Sequence, residues 1–306
     1  MMLPPLDGLL VLDKRAGITS RAALDRIAGF FPRSTRIGHA GTLDPLATGV
    51  LVLCIGSAAR LIEHVQDMAK TYETTLVLGA RSDTDDADGT ITPVPVTVPL
   101  ERARIATAIQ SFVGDIDQVP PAYSAAKITG RRAYDLARQG RAVTLQARRV
   151  HVSAIEILDY AFPRLSLKIH CGKGTYIRSL ARDLGERLGC GAYVESLRRT
   201  SVGPFLAANA IRIDADAATV RGHVLPVAAA VAELPRLVLK PDDVIGVRHG
   251  RSIPLLQTGP EKDFIGDSKV ALFDAVGELV SVARVDSVQL LLLPDKVLPK
   301  GRISAT

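Results

Sequence analysis

The chain has 306 residues, of which 47% are hydrophobic and 23% charged. That is the balance of a soluble globular protein, with room for two domains at roughly 150 residues each. No stretch approaches the ~20 consecutive apolar residues of a membrane span, and Met1 to Gly8 lacks the basic and then apolar pattern of a secretory signal. A cytoplasmic protein with no membrane partner is expected. The net charge of +6 suits a polyanionic partner without specifying one. Cys54, Cys171 and Cys190 are far apart and form no CxxC pair, which argues against a disulfide framework or a zinc site. Trp is absent and aromatics are 4%, so a base-stacking surface would rest on a few Tyr and Phe.

In chain order, the apolar run Leu9 to Leu12 predicts a first strand. Thr19 or Ser20 then caps a helix with Ala23, Leu24, Ile27, Ala28 and Phe31 on one face, stopped by Pro32. A Gly- and Pro-punctuated loop, Arg36 to Gly49, leads to Val50 to Ile55, too continuously apolar for a half-exposed strand. Arg60 to Met68 has helical spacing, and the segment around Tyr72 to Leu78 alternates as a strand. An acidic turn, Asp83 to Gly89, precedes a helix from Pro99 to Phe112 with Pro in its first turn. Asp117 to Arg149 is a basic excursion that includes Lys127, Arg131, Arg132, Arg138, Arg141, Arg148 and Arg149. Strands at about Val150 to Tyr160 and Leu165 to Cys171 lead to a helix from near Tyr176, ended by Gly189 and Gly191. Ala207 to Glu233 reads as a low-complexity linker, and beyond Pro235 lies a small β-rich module.

Two segments carry candidate chemistry. Gly38-His39-Ala40-Gly41-Thr42-Leu43-Asp44-Pro45-Leu46-Ala47-Thr48-Gly49 is rich in glycine, and Pro45 restricts the residue before it. Asp-Pro is also an ordinary turn former, so a structural turn and an active-site loop both remain open here. A long loop held between core segments favours the second. The loop is neither a phosphate-binding loop nor a nucleophile elbow, and no zinc helix is present. The second segment, Cys171-Gly172-Lys173-Gly174-Thr175-Tyr176-Ile177-Arg178, passes from strand to helix and gathers cations. An arginine there beside a buried carboxylate would keep it ionised and aim it. Leu197-Arg198-Arg199-Thr200 is a third, basic cluster.

Together with Lys70-Thr71-Tyr72, Asp83-Thr84-Asp85 with Asp88-Gly89, and Gln118-Val119-Pro120-Pro121-Ala122-Tyr123-Ser124-Ala125, these segments resemble, in order, the motifs of the TruB family. Its members are bacterial pseudouridine synthases that isomerise uridine 55 in the T loop of transfer RNA. The resemblance spans about residues 8 to 205. It implies an α+β pseudouridine synthase fold with a mixed, largely antiparallel central sheet flanked by helices, over residues 1–232. A PUA-like RNA-binding domain over 233–306 would follow, and the excursion at about 115–150 would grip the RNA. By resemblance Asp44 is the catalytic aspartate, Arg178 the arginine paired with it, and Tyr72 the tyrosine that stacks on the target base and helps move the C5 proton. Tyr176 and Leu197 would line the uridine pocket, and His39 would enter the T loop. Lys127, Arg131, Arg132, Lys173, Arg198 and Arg199 are the expected RNA contacts. No cofactor or metal is implied, and a monomer acting on the T stem-loop of tRNA is expected. Attack at C1′, addition at C6 and deprotonation at C2′ all remain open as the role of Asp44. Gly172, where a Ser is frequent, and Ser57-Ala58-Ala59-Arg60, where many relatives end Ala-Thr-Lys, depart from the pattern without touching this chemistry. The competing reading is an RNA-binding or RNA-folding protein whose role does not depend on isomerisation.

Overall fold

The apolar runs at Leu9 and Val50 form two adjacent strands buried on both faces. The computed structural model describes residues 7–96, 100–123, 127–128, 131–132, 145–255 and 269–299. In it β1 (Gly8–Lys14) is followed by α1 (Ser20–Ala28), β2 (Ile37–His39) and β3 (Thr48–Ile55). β1 and β3 pair antiparallel, from Gly8 opposite Ile55 to Lys14 opposite Gly49. Leu10, Leu12, Leu51 and Leu53 face one core layer, and Leu9, Val11, Val50 and Val52 face another. Burial on both sides removes any need for polar alternation, which is why these runs are unbroken. β2, inside the segment read as loop, pairs with β3 so that His39 sits opposite Leu53. Thr19 caps α1 through the Ala22 amide, while Ser20 is turned inward to another use described below.

A 3₁₀ turn, Gly56–Leu61, takes up the first part of the expected second helix and leaves a short α2 (Ile62–Asp67). β4 (Lys70–Leu78) alternates as read, with Tyr72, Leu76 and Leu78 buried and Glu73 exposed. β5 (Ala80–Ser82) and β6 (Ile91–Pro93) form a hairpin around the acidic turn. α3 (Arg102–Gln110) is shorter than the pattern suggested, and Pro99 lies outside the described residues. The basic excursion leaves the sheet through β7 (Gly114–Gln118). It contains a small hairpin, β8 (Lys127–Ile128) with β9 (Arg131–Arg132), and returns in β10 (Arg148–Ala161). Arg138 and Arg141 lie outside the described residues. β11 (Arg164–Cys171), α4 (Ile177–Leu188), β12 (Ala192–Val202), β13 (Phe205–Leu206) and β14 (Ile211–Arg212) complete the first unit.

The main sheet has the order β14-β1-β3-β12-β4-β11-β10-β7, with β2 beside β3 and β13 beside β12. It is mixed but largely antiparallel: β14 runs parallel to β1 and β12 parallel to β3, and the other neighbours are antiparallel. Helices α1, α3 and α4 pack on one face through Ile27, Ile109, Leu180 and Leu184.

The Ala-rich stretch read as a linker is built into the fold. It supplies β14, α5 (Ala217–Gly222) and a 3₁₀ turn, and buries Ile211, Ile213, Val220 and Val231. Its small residues allow close approach to the sheet, and a few large ones anchor it. Next come β15 (Arg236–Val238), α6 (Pro241–Arg248), β16 (Ile253–Pro254), β17 (Lys269–Phe273), β18 (Leu279–Asp286) and β19 (Leu291–Val297). They form a separate five-stranded sheet with the order β15-β17-β18-β19-β16. Phe273, Leu279 and Val282 pack in the same core layer as Leu9 and Val52, and the Arg60 guanidinium donates to the Val297 carbonyl at 2.6 Å. Among the described residues no helix is long and apolar enough to cross a membrane.

Of two arginines expected to meet RNA, Arg199 is placed otherwise, and Arg198 is paired with Asp13 while keeping 39% of its side chain exposed. Arg199 on β12 is 2% exposed. Its Nε donates to the Val50 carbonyl at 2.7 Å and its Nη2 to the Gly41 carbonyl at 3.1 Å. Gly49, opposite Arg199 in the ladder, has φ +97°, and a Cβ there would sit 2.1 Å from the Arg199 carbonyl oxygen. Only glycine allows that approach. The next side chain along β12, Arg198, donates to both Asp13 carboxylate oxygens at 3.0 and 2.8 Å. Strand alternation separates the two guanidinium groups, and each meets protein acceptors. Arg199→Ala strands two carbonyls, worth roughly 1–3 kcal/mol each when buried and unsatisfied. Urea unfolding is therefore expected to show a loss of about 2 kcal/mol or more. A surface phosphate contact would instead change stability by less than ~0.5 kcal/mol.

Candidate active site

Asp44 is held by a loop whose backbone is pinned from below at several points. Gly41 O accepts from Arg199. The Ser20 hydroxyl both accepts from the Leu43 amide at 2.8 Å and donates to the Leu43 carbonyl at 3.0 Å. Pro45 O accepts from the Gly17 amide at 2.9 Å and from the Lys14 ammonium at 3.3 Å. Lys14 is fully buried and also donates to the carbonyls of Arg15 and Ile18. Burial pushes its pKa down to about 8, with Asp44 working against the fall and Arg199 adding to it. A cation therefore lies beneath the loop, and the Asp44 side chain projects from the top with 31% of its surface exposed.

Arg178, in the first turn of α4, closes the arrangement. Its side chain is 5% exposed and lies between two carboxylates. Nη2 donates to Asp44 Oδ1 at 2.9 Å, and Nε stands 2.9 Å from Oδ2, within ion-pair range but without hydrogen-bond alignment. On the other side Nη1 lies 3.2 Å from Asp86 Oδ2 and donates to the Thr84 carbonyl at 3.0 Å, and Nη2 also donates to the Tyr123 carbonyl at 3.0 Å. Asp86 is itself buried and accepts from the Thr84 hydroxyl at 2.6 Å and the Asp88 amide at 3.1 Å. Burial raises the Asp44 pKa above its ordinary value and Arg178 opposes that rise; Asp86 adds to it, and Lys14 also opposes it. Burial acts by desolvation, Arg178 and Lys14 by opposite charge, and Asp86 by like charge.

A cleft of about 480 Å³ opens over this pair. Its lining unites Asp44, Tyr72, Lys173, Tyr176, Arg178 and Leu197, drawn from four separate segments of the sequence, with Arg199 below. Tyr72 is buried, and burial pushes its phenol above the ordinary value while the nearby Arg199 charge opposes the shift. The phenol therefore stays protonated at neutral pH. Lys173 reaches across to Asp67, 2.5 Å from Oδ1. The volume is in the range of small-molecule pockets and suits one nucleoside unit, with an aromatic face, a carboxylate and nearby cations. Among the described residues no cluster of His, Cys, Asp and Glu is arranged to hold a metal ion.

The structure does not bring every expected residue to this cleft. His39 is not among its lining residues, and Arg198 faces a neighbouring cleft of about 600 Å³ with Glu73 and Glu195. Lys127, Arg131 and Arg132 lie on the β8–β9 hairpin. Two site residues escaped the sequence reading, Lys14 and Asp86; Lys70, read only as part of a motif, and Arg148 and Arg149, read only as part of the basic excursion, also line the cleft. Asp86 sits inside the acidic turn that was noted as a unit, and its neighbours Asp83, Asp85 and Asp88 hid it.

Comparisons with known proteins place the chain in a family. The family model described as TruB family pseudouridylate synthase (N terminal domain) matches residues 30–177, and that of the tRNA pseudouridylate synthase B C-terminal domain matches residues 178–232. A tRNA pseudouridine synthase B of Burkholderia mallei (strain NCTC 10247) is 38% identical over 302 residues, covering 97% of this chain and 98% of the relative. One of Xanthomonas oryzae pv. oryzae (strain MAFF 311018) is 43% identical over 289 residues, covering 90% and 92%. A solved Cbf5-Nop10-Gar1 complex contains a chain of the same fold, with TM-score 0.73 and 24% identity over 95% of this chain and 84% of that one. Matched by both family models and, along nearly its whole length, by these relatives, the chain belongs to the TruB family of pseudouridylate synthases.

Proposed function

We propose that the chain isomerises uridine 55 in the T loop of tRNA to pseudouridine, with Asp44 as the catalytic residue. The observation that carries the proposal is the Asp44–Arg178 ion pair beneath a nucleoside-sized cleft, in a chain of this family. The reaction breaks the C1′–N1 bond, turns the uracil, joins C1′ to C5 and releases the C5 proton. It needs an anchored carboxylate and a pocket that retains the free base. Extruding the base from a folded loop costs a few kcal/mol, and stacking on an aromatic ring returns roughly 1–3 kcal/mol. Tyr72 supplies that face and relays the released proton, its phenol oxygen accepting that proton as its own hydroxyl proton passes to water. Tyr176 and Leu197 shape the pocket, and His39, on the strand leading to the loop, enters the T loop.

The hairpin carrying Lys127, Arg131 and Arg132 contacts phosphates, as does Lys173 once RNA displaces Asp67. The five-stranded C-terminal sheet acts as a PUA-like second RNA contact, a reading supported by its position and strand content. In this reading the chain acts as a monomer on the T stem-loop of tRNA, in the cytoplasm.

Incubating unmodified tRNA with the wild-type protein and with Asp44→Ala, and mapping pseudouridine, tests the central step. Product at position 55 from the wild type alone is expected; equal product from both proteins, or none from the wild type, refutes it. Arg178→Ala is expected to lower turnover by about 10²-fold or more, the scale of losing a preorganised charged donor, with little change in tRNA affinity. A loss confined to affinity would make Arg178 a phosphate contact. Replacing Lys127, Arg131 and Arg132 together by Ala should flatten the slope of log affinity against log salt by about 2 to 3, at roughly 0.7–0.9 per phosphate contact. An unchanged slope would remove the hairpin from the RNA interface.

A further inference from the structure

The residue that sets the start of α4 lies outside that helix, at the root of the basic excursion. Tyr176 occupies the N-cap position, with φ −101° and ψ 113°, and its side chain makes no cap hydrogen bond. Tyrosine is a poor capping residue, so the conformation here needs outside support. Gln118, at the end of β7 and 2% exposed, provides it with both ends of its amide. Its Oε1 accepts from the Tyr176 amide at 2.8 Å, and its Nε2 donates to the Tyr176 carbonyl at 3.0 Å. The same carbonyl accepts the first helical bond, from the Leu180 amide at 3.1 Å. The side chain thus pairs with one residue as a neighbouring strand would, fixing the extended backbone of a cleft-lining tyrosine two positions before Arg178.

The segment after Gln118 is clamped to the same helix. Val119 O accepts from the Ser179 hydroxyl at 2.8 Å and from Arg182 Nη2 at 2.9 Å, and Tyr123 O accepts from Arg178 itself at 3.0 Å. The excursion and the Asp44–Arg178 pair therefore share one rigid joint. We infer that Gln118 is a positioning residue for the reaction: its amide holds Tyr176 and the first turn of α4 in register with Asp44, and it ties that register to the segment proposed to grip RNA. The inference rests on the proposed role of the Asp44–Arg178 pair.

The test uses full-length wild type, Gln118→Ala and Gln118→Glu, with single-turnover rates at saturating unmodified tRNA and separate measurement of tRNA affinity, between about pH 5.5 and 8.5. Gln118→Ala is expected to lower the rate by roughly 10- to 100-fold, the scale of a small misplacement of reacting groups, with affinity within a few-fold of wild type. Gln118→Glu keeps the size and the acceptor but loses the donor while ionised. Once protonated, the introduced carboxyl can again accept from the Tyr176 amide and donate to its carbonyl. The ratio of its rate to that of wild type should therefore rise as the pH falls. Asp44 titrates in both proteins, as do Asp85 and Asp183 beside Arg182, and the facing arginines, Arg148 opposite on β10 and Arg178 and Arg182 on α4, are common to both. The ratio thus isolates the new group, a readout that a merely stabilising glutamine would not move. An unchanged Gln118→Ala rate, a loss of affinity as large as the loss of rate, or a ratio flat with pH overturns the inference. Wild-type protein that forms no pseudouridine would instead sink the underlying reading, and the role of Gln118 with it.

Discussion

A guanidinium buried between two carboxylates is the constraint around which this structure is arranged. Arg178 cannot give up its proton, and removing it from water has a cost that only close, hydrogen-bonded anions and carbonyls offset. Asp44 and Asp86 flank it, and the carbonyls of Thr84 and Tyr123 accept its other protons. Those four partners belong to the Gly-rich loop, the acidic turn and the root of the basic excursion. One side chain therefore fixes three segments that are remote in sequence, and the rest of the site is assembled on that fixed point.

The surrounding fold keeps the pair from collapsing or drifting. The Asp44 loop is fastened by Ser20, Lys14, Gly17 and Arg199, three of them through side chains with almost no exposure. Two buried cations, Lys14 and Arg199, lie under the loop and, with Arg178, offset the desolvation of Asp44 and Asp86. Of the groups in this cluster, Asp44 keeps an open face toward the cleft. A carboxylate restrained on one side and available on the other suits chemistry that must act on a sugar or base without releasing the detached uracil.

Much of this was legible in the sequence because the decisive residues lie in short motifs. Asp44, Tyr72, Tyr176 and Arg178 could be chosen from their blocks, and the doubly buried strands from unbroken apolar runs. Arg199 could not be told from Arg198, since β12 shifts register near both ends and the buried face cannot be counted from outside. Lys14 follows an apolar run as any turn lysine does; its burial depends on carbonyls from two other turns. The Gln118–Tyr176 pairing joins residues 58 apart, and no local pattern announces it. The Ala-rich stretch looked loose because few of its side chains are large, yet Ile211, Val220 and Val231 suffice to bind it to the sheet.

The central claim is that Arg178 keeps Asp44 ionised and aimed. Burial raises the Asp44 pKa and Arg178 opposes that rise, so a reaction that needs the carboxylate fails as the pH falls through that value, and losing the arginine should move the failure to higher pH. The most direct measurement is the single-turnover rate of pseudouridine formation against pH for wild type and Arg178→Ala at saturating tRNA. The predicted result is an acid limb displaced upward in the variant, with a residual rate that still climbs with pH where wild type is already level. Limbs with the same midpoint, differing only by a uniform factor, would contradict it.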